Sequence, residues 1–326
     1  MLQKKSMYGI LPDRLKDVLR KQKYQLVGRH SAVKKCRWLH ESLVRGRACY
    51  KEKFFGTKSS QCIQMTPWLG CDCACVFCWR TQALQDLSTQ WDETDNSRFD
   101  EAADIVEGCM LAQRKILTGY KNHPRVSQEK YLEAFNPRHV AISLAGEPTL
   151  YPKLEGLLRE FHSRRFTTFL VTNGTMPEVL SKMEELPTQL YITLAAPDEE
   201  TYQQTCRPSI PDAWTRLNKS LELISSLDCP VVLRLTLARH LNMRSPKIYA
   251  KLIEQADPLY FECKGVVYVG SARRRIQFEN MPEHEEIRQF AGELCSLTGY
   301  RPIAESRDSR VVLASARLKK PKRLIK

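Results

Sequence analysis

The feature that most constrains the fold is a regular alternation between short apolar, β-rich runs and longer helical patterns. It begins with QCIQMTP at 61–67, continues with a helical stretch near 98–120, and resumes at about residue 138. The later β-rich runs are RHVAISLAG, TTFLVTNG, QLYITLAAP, PVVLRLTLA and LYFECKGVVYVG. Six strand–helix units of this kind are typical of a parallel α/β sheet. We therefore predict an α/β fold in which the sheet curls into a partial (β/α)6 TIM barrel.

Length and hydropathy favour one large domain outside the membrane. The 326 residues are enough for one α/β domain with extensions. No run of eighteen or more apolar residues occurs, and the N-terminus lacks the uninterrupted apolar segment of a signal peptide. We expect a cytoplasmic protein without membrane association.

The net charge of +14 is concentrated at the two ends of the chain. Residues 1–37 carry eleven Lys or Arg against two acids, and the last ten residues carry six against none. We predict a basic N-terminal extension over 1–35, a barrel over 36–310 and a basic C-terminal tail over 311–326. Such ends suit a polyanion such as RNA, because each phosphate that is neutralised releases counterions. The alternative is that both ends are solvated tails.

Cysteines are dense in one part of the sequence. Seven of the twelve fall within 43 residues, and four stand in GCDCACVFCWR at 70–80. In a reducing compartment such a cluster indicates metal ligands rather than disulfides. Because the cluster follows the first predicted strand, we place it at the carboxyl face of the barrel, where ligands bind.

Within this cluster, Cys71, Cys75 and Cys78 have the spacing C-x3-C-x2-C. Three thiolates on a short loop can hold three irons of a [4Fe–4S] cluster and leave the fourth iron open to another ligand. A zinc ribbon is the competing interpretation, but it usually has two well-separated close pairs, and this is a triplet. Cys73 lies between two ligands, so we expect its side chain to point away and to bind no metal.

The triplet, with Phe77 before its last cysteine, resembles the radical S-adenosylmethionine (SAM) superfamily. The resemblance implies that SAM occupies the open iron through its amino and carboxylate groups, and that an electron from the cluster splits SAM into a 5′-deoxyadenosyl radical. SLAGEP at 143–148 is similar to the Gly-Gly-Glu strand end of these enzymes, with Ala145 in place of the first glycine. Glu147 would then accept a hydrogen bond from the SAM amino group, and Asn173 in the later TNG would be a second SAM contact.

A second set of cysteines precedes the triplet at equal intervals. Cys36, Cys49 and Cys62 have the spacing C-x12-C-x12-C. Three loose cysteines can simply be packing residues, but their position suggests ligands of a second [4Fe–4S] cluster with one open iron. An open iron suits a substrate that binds through oxygen atoms.

Around these cysteines the resemblance narrows to one family. CYKEKFFGTKSSQC, QMTPWLGCDCACVFCWR and VYVGSARRR resemble the tRNA 4-demethylwyosine synthases, with Phe55 where tyrosine is more usual. The resemblance implies a tRNA(Phe) substrate with N1-methylguanosine at position 37 and pyruvate as the second substrate. The deoxyadenosyl radical would take a hydrogen from the methyl group, and the resulting radical would attack the pyruvate carbonyl carbon. After carbon–carbon cleavage, two pyruvate carbons would close the third ring of 4-demethylwyosine.

Lysines near Cys49 suit the pyruvate chemistry. A lysine amine condenses with a ketone to form an imine, which anchors the ketone and makes its carbon electrophilic. The family resemblance assigns this role to Lys51, with Lys53 and Lys58 as close substitutes, although a solvated surface charge is the ordinary interpretation of any one lysine.

Basic and aromatic residues near the predicted barrel mouth suit an RNA loop, which proteins hold by stacking and by backbone contacts. Arg273, Arg274 and Arg275 are the predicted RNA contacts, and Trp79 and Arg80 flank the cysteine loop. These side chains could equally be structural.

The chain resembles the shorter archaeal members without a flavin-binding domain, so we expect a separate electron donor of the ferredoxin or flavodoxin type. Two alternatives stay open at this point. One is another radical SAM enzyme with an auxiliary cluster that acts on RNA or a peptide, and the other is a non-catalytic zinc RNA-binding protein.

Overall fold

The computed structural model describes residues 11–81 and 99–324. These residues form two compact units, where we expected a single domain. The first unit comprises residues 11–47, 59–72 and 99–168, and the second comprises residues 48–58, 73–81 and 169–324. The outermost residues of both predicted basic ends, 1–10 and 325–326, lie outside the described residues. Within the described ranges, no helix combines the length and the apolar character that a bilayer span requires.

The helices and strands are numbered here in chain order. The helices are α1 (Asp13–Lys21), α2 (Arg37–Arg45), α3 (Tyr50–Phe55), α4 (Ala102–Thr118), α5 (Gln128–Ala134), α6 (Leu154–Ser163), α7 (Pro177–Lys182), α8 (Glu199–Cys206), α9 (Ala213–Glu222), α10 (Pro246–Ala256) and α11 (His284–Thr298). The strands are β1 (Tyr24–Val27), β2 (Ser31–Lys34), β3 (Cys62–Thr66), β4 (His139–Ile142), β5 (Thr167–Thr172), β6 (Gln189–Thr193), β7 (Val231–Leu237), β8 (Tyr260–Gly265), β9 (Arg301–Ser306) and β10 (Val311–Ser315).

The first unit is organised around the strands β1-β2-β3-β4. β1 and β2 form an antiparallel hairpin, β2 runs antiparallel to β3, and β3 runs parallel to β4. Helix α4 buries Ile105, Val106, Cys109 and Leu117, a spacing that places the four side chains along one helix face. A second apolar cluster joins α2, α4 and α5 through Leu39, Leu43, Leu117, Tyr131 and Ala134.

The second unit carries the parallel strands β5, β6, β7 and β8, followed by β10 and β9 in antiparallel pairing. Only the first two residues of β5 belong to the first unit. Along β7, Leu233, Leu235 and Leu237 are buried, whereas Arg234 and Thr236 are half-buried on the other face. This second face places the charged Arg234 side chain among the strands of the unit.

The six predicted strands correspond to β3 through β8, and each is present. Both predicted end segments contain strands that the sequence did not predict. The predicted N-terminal extension contains α1 and the β1–β2 hairpin, which pairs with β3, and the predicted tail contains β10, which pairs with β8. β8 also ends at Gly265, so VVYVG lies beyond it. The short strands were missed because four or five residues show too little periodicity and because basic residues dominate the surrounding sequence.

Candidate active site

The cysteine loop, residues 71–78, follows β3 and belongs to both units. Cys71 lies in the first unit, and Cys75 and Cys78 lie in the second. In the second unit the loop pairs with the segment after α8, where the Ala74 amide donates to Arg207 O at 3.1 Å and the Val76 amide donates to Thr205 O at 2.8 Å. These backbone bonds hold the loop in a defined conformation.

The thiols of this loop divide by burial. Cys73 is 7% exposed, and its sulfur lies 3.9 Å from the Tyr202 hydroxyl and 3.4 Å from Asn173 Nδ2. Cys71, Cys75 and Cys78 are half-buried. Hydrogen bonds from the thiols of Cys206 and then Cys73 lower the pKa of the Cys75 thiol well below its usual range. The lowered pKa favours the thiolate form of Cys75, which is the form that binds metal.

Arg275, which follows β8 in the chain, supports the cysteine loop. Its guanidinium donates from Nε to Val76 O at 3.2 Å and from Nη2 to Cys78 O. The Ser271 amide donates to Trp79 O at 2.9 Å, and Gly270 approaches this carbonyl so closely that a Cβ would collide with it. Of the three arginines predicted to bind RNA, Arg275 is thus the one that these bonds join to the cysteine loop.

The other two arginines and a neighbouring aromatic pair lie on the surface. The Arg273 guanidinium lies 5.4 Å from the centre of the Tyr268 ring, and Arg274 is exposed. Phe278, which sequence reasoning did not single out, is 61% exposed and packs edge to face on Tyr268 at 5.9 Å. An exposed ring beside arginines is the combination on which bases stack.

Glu147, the first predicted SAM contact, lies in the first unit beside the start of the cysteine loop. Its amide donates to Gly70 O at 2.7 Å, and the preceding Gly146 has a φ of +67°. The buried Glu147 carboxylate accepts hydrogen bonds from the Thr149 amide at 3.0 Å and from the Thr149 hydroxyl at 2.7 Å. The carboxylate is therefore fixed in position after the end of β4, and the backbone of Glu147 contacts Gly70, the residue directly before Cys71.

Asn173, the second predicted SAM contact, lies at the end of β5 in the second unit. Its Oδ1 accepts hydrogen bonds from the Thr175 amide at 3.0 Å and hydroxyl at 2.7 Å, and its Nδ2 donates to the sulfur of Cys73. The structure thus brings Asn173 and the cysteine loop together.

The upstream cysteines begin three elements. Cys36 is the N-cap of α2 and Cys62 is the first residue of β3, both in the first unit. Cys49 is the N-cap of α3 in the second unit, and its sulfur accepts a hydrogen bond from the Lys51 amide at 3.3 Å.

The donor chemistry of the six predicted ligands fits iron–sulfur ligation. All six are half-buried thiols, as is Cys229, whereas Cys73, Cys109, Cys206, Cys263 and Cys295 are buried. Cysteine thiolates are the ligands that such clusters use. No three His, Cys, Asp or Glu side chains of residues 11–81 and 99–324 already stand together as a metal site. The fit therefore lies in the type and accessibility of the donors.

Of the three candidate lysines, Lys51 is the one whose amine is placed over aromatic rings in the second unit. Its Nζ lies 3.9 Å from the centre of the Phe169 ring and 4.3 Å from that of Tyr191. Lys53 instead pairs with Asp308 at 3.8 Å, and Lys58 is exposed. The rings hold the Lys51 side chain against the strands β5 and β6.

Sequence reasoning missed the charged residues beside Lys51. Arg234 on β7 donates to Glu262 on β8 through Nε and to the Tyr50 hydroxyl through Nη2 at 2.7 Å. Lys264 follows Glu262 on the same face of β8. The available signal was the presence of Arg, Glu and Lys inside strands that are otherwise apolar, because a buried charge needs a partner or a function.

Comparison with known proteins agrees with this arrangement. Residues 65–253 match the radical SAM superfamily, and residues 255–316 match a family described as wyosine base formation. The chain is thus a member of the radical SAM superfamily, with the predicted partial barrel as its fold. Membership implies SAM and a [4Fe–4S] cluster as cofactors.

The relatives define the family within this superfamily. The SAM-dependent tRNA 4-demethylwyosine synthase of Pyrococcus horikoshii is 49% identical over 308 residues, which are 93% of this chain and 89% of that protein. That of Methanocaldococcus jannaschii is 37% identical and covers 93% and 96% of the two chains. The chain belongs to the family of tRNA 4-demethylwyosine synthases, which confirms the resemblance seen in its motifs.

Solved structures extend the match to nearly the whole chain. A structure of TYW1 with a lysine–pyruvate adduct bound has a TM-score of 0.85 at 36% identity and covers 96% of this chain and 99% of that one. A crystal structure of archaeal TYW1 has a TM-score of 0.77 at 34% identity, with 96% and 100% covered.

Proposed function

We propose that this protein converts N1-methylguanosine-37 of tRNA(Phe), with pyruvate, into 4-demethylwyosine. The observation that carries the proposal is the 49% identity to a tRNA 4-demethylwyosine synthase along nearly the full length of both chains. The same relationship favours an enzyme over a zinc-stabilised RNA-binding protein, and it favours a tRNA substrate over a peptide.

Two sets of cysteines would hold the iron–sulfur clusters. Cys71, Cys75 and Cys78 are the proposed ligands of the SAM-binding cluster, and Cys36, Cys49 and Cys62 are those of a second [4Fe–4S] cluster. When bound, the first cluster and SAM would supply the radical that activates the methyl group of the tRNA base. Glu147 and Asn173 are proposed to orient SAM, because both are fixed at strand ends next to the cysteine loop. Electrons would come from a separate ferredoxin or flavodoxin type of donor.

Lys51 is proposed to anchor pyruvate as an imine. Its amine nitrogen would bond to the ketone carbon of pyruvate, and the ketone oxygen would leave as water. The aromatic faces of Phe169 and Tyr191 restrict the lysine side chain. Condensation with pyruvate therefore loses less conformational entropy than it would with a mobile side chain. A relative with a lysine–pyruvate adduct supports this chemistry at 36% identity.

Arg273 and Arg274 are proposed to contact the anticodon loop. Both lie on the surface of the second unit, and Arg273 stacks on Tyr268. Arg275 has a different proposed role, which is to hold the cysteine loop through the carbonyls of Val76 and Cys78.

The function is tested by anaerobic incubation of the reconstituted protein with tRNA(Phe) that carries N1-methylguanosine-37, SAM, pyruvate and a reductant. Nucleoside mass analysis should then detect 4-demethylwyosine. A control tRNA with unmethylated guanosine at position 37 should give none. SAM cleavage that is stimulated by a peptide and not by this tRNA would contradict the proposal.

The imine is tested by reduction with cyanoborohydride in the presence of labelled pyruvate. We expect the label on Lys51 and expect Lys51→Arg to abolish it, because a guanidinium keeps the charge but cannot form the imine. Lys53→Arg is the matched control and should label as the wild type does. Label that persists in Lys51→Arg would assign the role to another lysine.

A further inference from the structure

Three charged residues beneath α3 have no role in the proposed reaction so far described. We call Arg234, Glu262 and Lys264 the β7–β8 charge cluster. Arg234 and Glu262 stand opposite each other in the parallel register of the two strands, and the carboxylate of Glu262 is fully buried. The Arg234 guanidinium is held in place by Glu262 and by the Tyr50 hydroxyl.

Positive charge exceeds negative charge in this cluster. Glu262 pairs with Arg234, and in the described part of the chain Lys264 has no salt bridge of its own. Lys264 Nζ donates to Ser309 O at 2.9 Å and lies 4.9 Å from the centre of the Tyr50 ring. Burial lowers the pKa of Lys264 to about 8. Glu262 and the Cys49 thiol raise this pKa, and Arg234 and Arg310 lower it further. One carboxylate for two cations leaves a net positive charge in a site that is largely shielded from solvent, so the cluster is suited to an anionic ligand.

The cluster and Lys51 share aromatic neighbours. The Lys51 amine is 4.3 Å from the centre of the Tyr191 ring, and the Arg234 guanidinium carbon is 4.4 Å from the same centre. Tyr50, the neighbour of Lys51 in the chain, contacts both Arg234 and Lys264. Two cations therefore accompany the amine in the same part of the second unit.

We propose that Arg234 and Lys264 form the subsite that binds the carboxylate of the 2-oxo acid that condenses with Lys51. This inference rests on the proposed function. In a 2-oxo acid the carboxylate carbon is bonded directly to the ketone carbon, so the negative charge stays within a few bonds of the Lys51 nitrogen after water has left. Guanidinium and ammonium groups bind carboxylates by charge-assisted hydrogen bonds. Glu262 acts as a positioning residue, because it fixes the guanidinium that would otherwise reorient.

The subsite predicts selectivity for carbonyl compounds that carry a carboxylate. The test uses the holoenzyme, cyanoborohydride, and either labelled pyruvate or labelled methyl pyruvate, a neutral ester with the same ketone. The wild type should reach half-maximal labelling of Lys51 at a pyruvate concentration about tenfold lower than that of the ester. Lys264→Gln should remove most of this preference by weakening pyruvate and not the ester, and Lys264→Arg should restore it.

Two further variants keep the test decisive. Arg234→Lys retains a cation for Glu262 but loses the forked guanidinium, so it should also reduce the preference for pyruvate. Lys251→Gln, which removes an exposed charge from α10, is the matched control and should leave the preference unchanged. If Lys264→Gln and Arg234→Lys both keep the wild-type preference, the subsite is overturned.

The outcome separates the subsite from the function. Variants that keep the wild-type preference, in a protein that makes 4-demethylwyosine, overturn the subsite and leave the function standing. Selective labelling that depends on Lys264, in a protein that makes no 4-demethylwyosine, supports the subsite and contradicts the function.

Discussion

At the scale of single residues, the cysteine loop contains thiols with two different surroundings. Cys73 is buried against Tyr202 and Asn173, whereas Cys75, two residues later, is half-buried and has a pKa lowered by hydrogen bonds from Cys206 and Cys73. We expect Cys75→Ser to remove about four irons per protein and to abolish SAM cleavage, because a [4Fe–4S] cluster then keeps only two thiolates of its triplet. Iron analysis of anaerobically reconstituted protein and chromatography of SAM products measure the two effects.

Cys73→Ser is the matched control at the same loop. A serine hydroxyl can keep the contacts with Tyr202 and Asn173 that the Cys73 sulfur now makes, so iron content should stay near that of the wild type. An equal loss of iron in both variants would contradict our expectation that Cys73 binds no metal.

At the scale of elements, Gly146 determines how the end of β4 meets the start of the cysteine loop. Its φ of +67° suits glycine, and a Cβ at this position would lie 2.5 Å from Gly70 O and 2.7 Å from Leu69 C. These are backbone atoms that cannot rotate away. We therefore expect Gly146→Ala to lower the free energy of unfolding by about 2 kcal/mol or more and to reduce iron content, as measured by denaturant unfolding and iron analysis.

A second glycine offers the matched control for that substitution. Gly292 lies inside α11, and nothing lies within 4 Å of a Cβ built there. Alanine favours the helix, so Gly292→Ala should leave stability unchanged or raise it by about 0.5 to 1 kcal/mol. Equal destabilisation by both substitutions would show that the close approach at Gly146 is not the cause.

The sequence was sufficient to predict the parallel strands and the cysteine triplet, but not the tertiary contacts of the charged residues. Strands β3 to β8 were predictable because each is a short segment rich in apolar and β-branched residues that lies between helical patterns. The cysteine triplet and its position after β3 were predictable from spacing. The separate role of Arg275 was not, because Arg273, Arg274 and Arg275 look alike in sequence and only a tertiary contact aims one of them at Val76 O and Cys78 O. Arg234 and Lys264 were visible as charges within strands, but their proximity to Lys51 depends on how β7 and β8 align beneath α3.

At the scale of the whole molecule, the positive charge is carried partly by a segment that is also anchored to the second unit. After β10, the Lys322 amide donates to the Tyr260 hydroxyl and the Leu324 amide donates to Phe55 O, each at 3.0 Å. Phe55 is the last residue of α3, which carries Lys51. Deleting this segment would therefore disturb α3 as well as remove charge, so a deletion cannot isolate the electrostatic contribution to tRNA binding.

A charge-only variant makes that separation. Lys319 and Lys320 are exposed between β10 and the anchored residues. If they neutralise phosphates, the double variant Lys319→Gln/Lys320→Gln should bind tRNA more weakly at low salt. The slope of log K against log salt should fall by roughly 1 to 2, since each phosphate contact contributes about 0.7 to 0.9. Lys247→Gln/Lys251→Gln removes the same charge from the exposed face of α10 and should change the slope less. Filter binding between 50 and 200 mM salt measures both, and equal slopes for the two double variants would mean that net charge, and not the position of the basic segment, governs the encounter with tRNA.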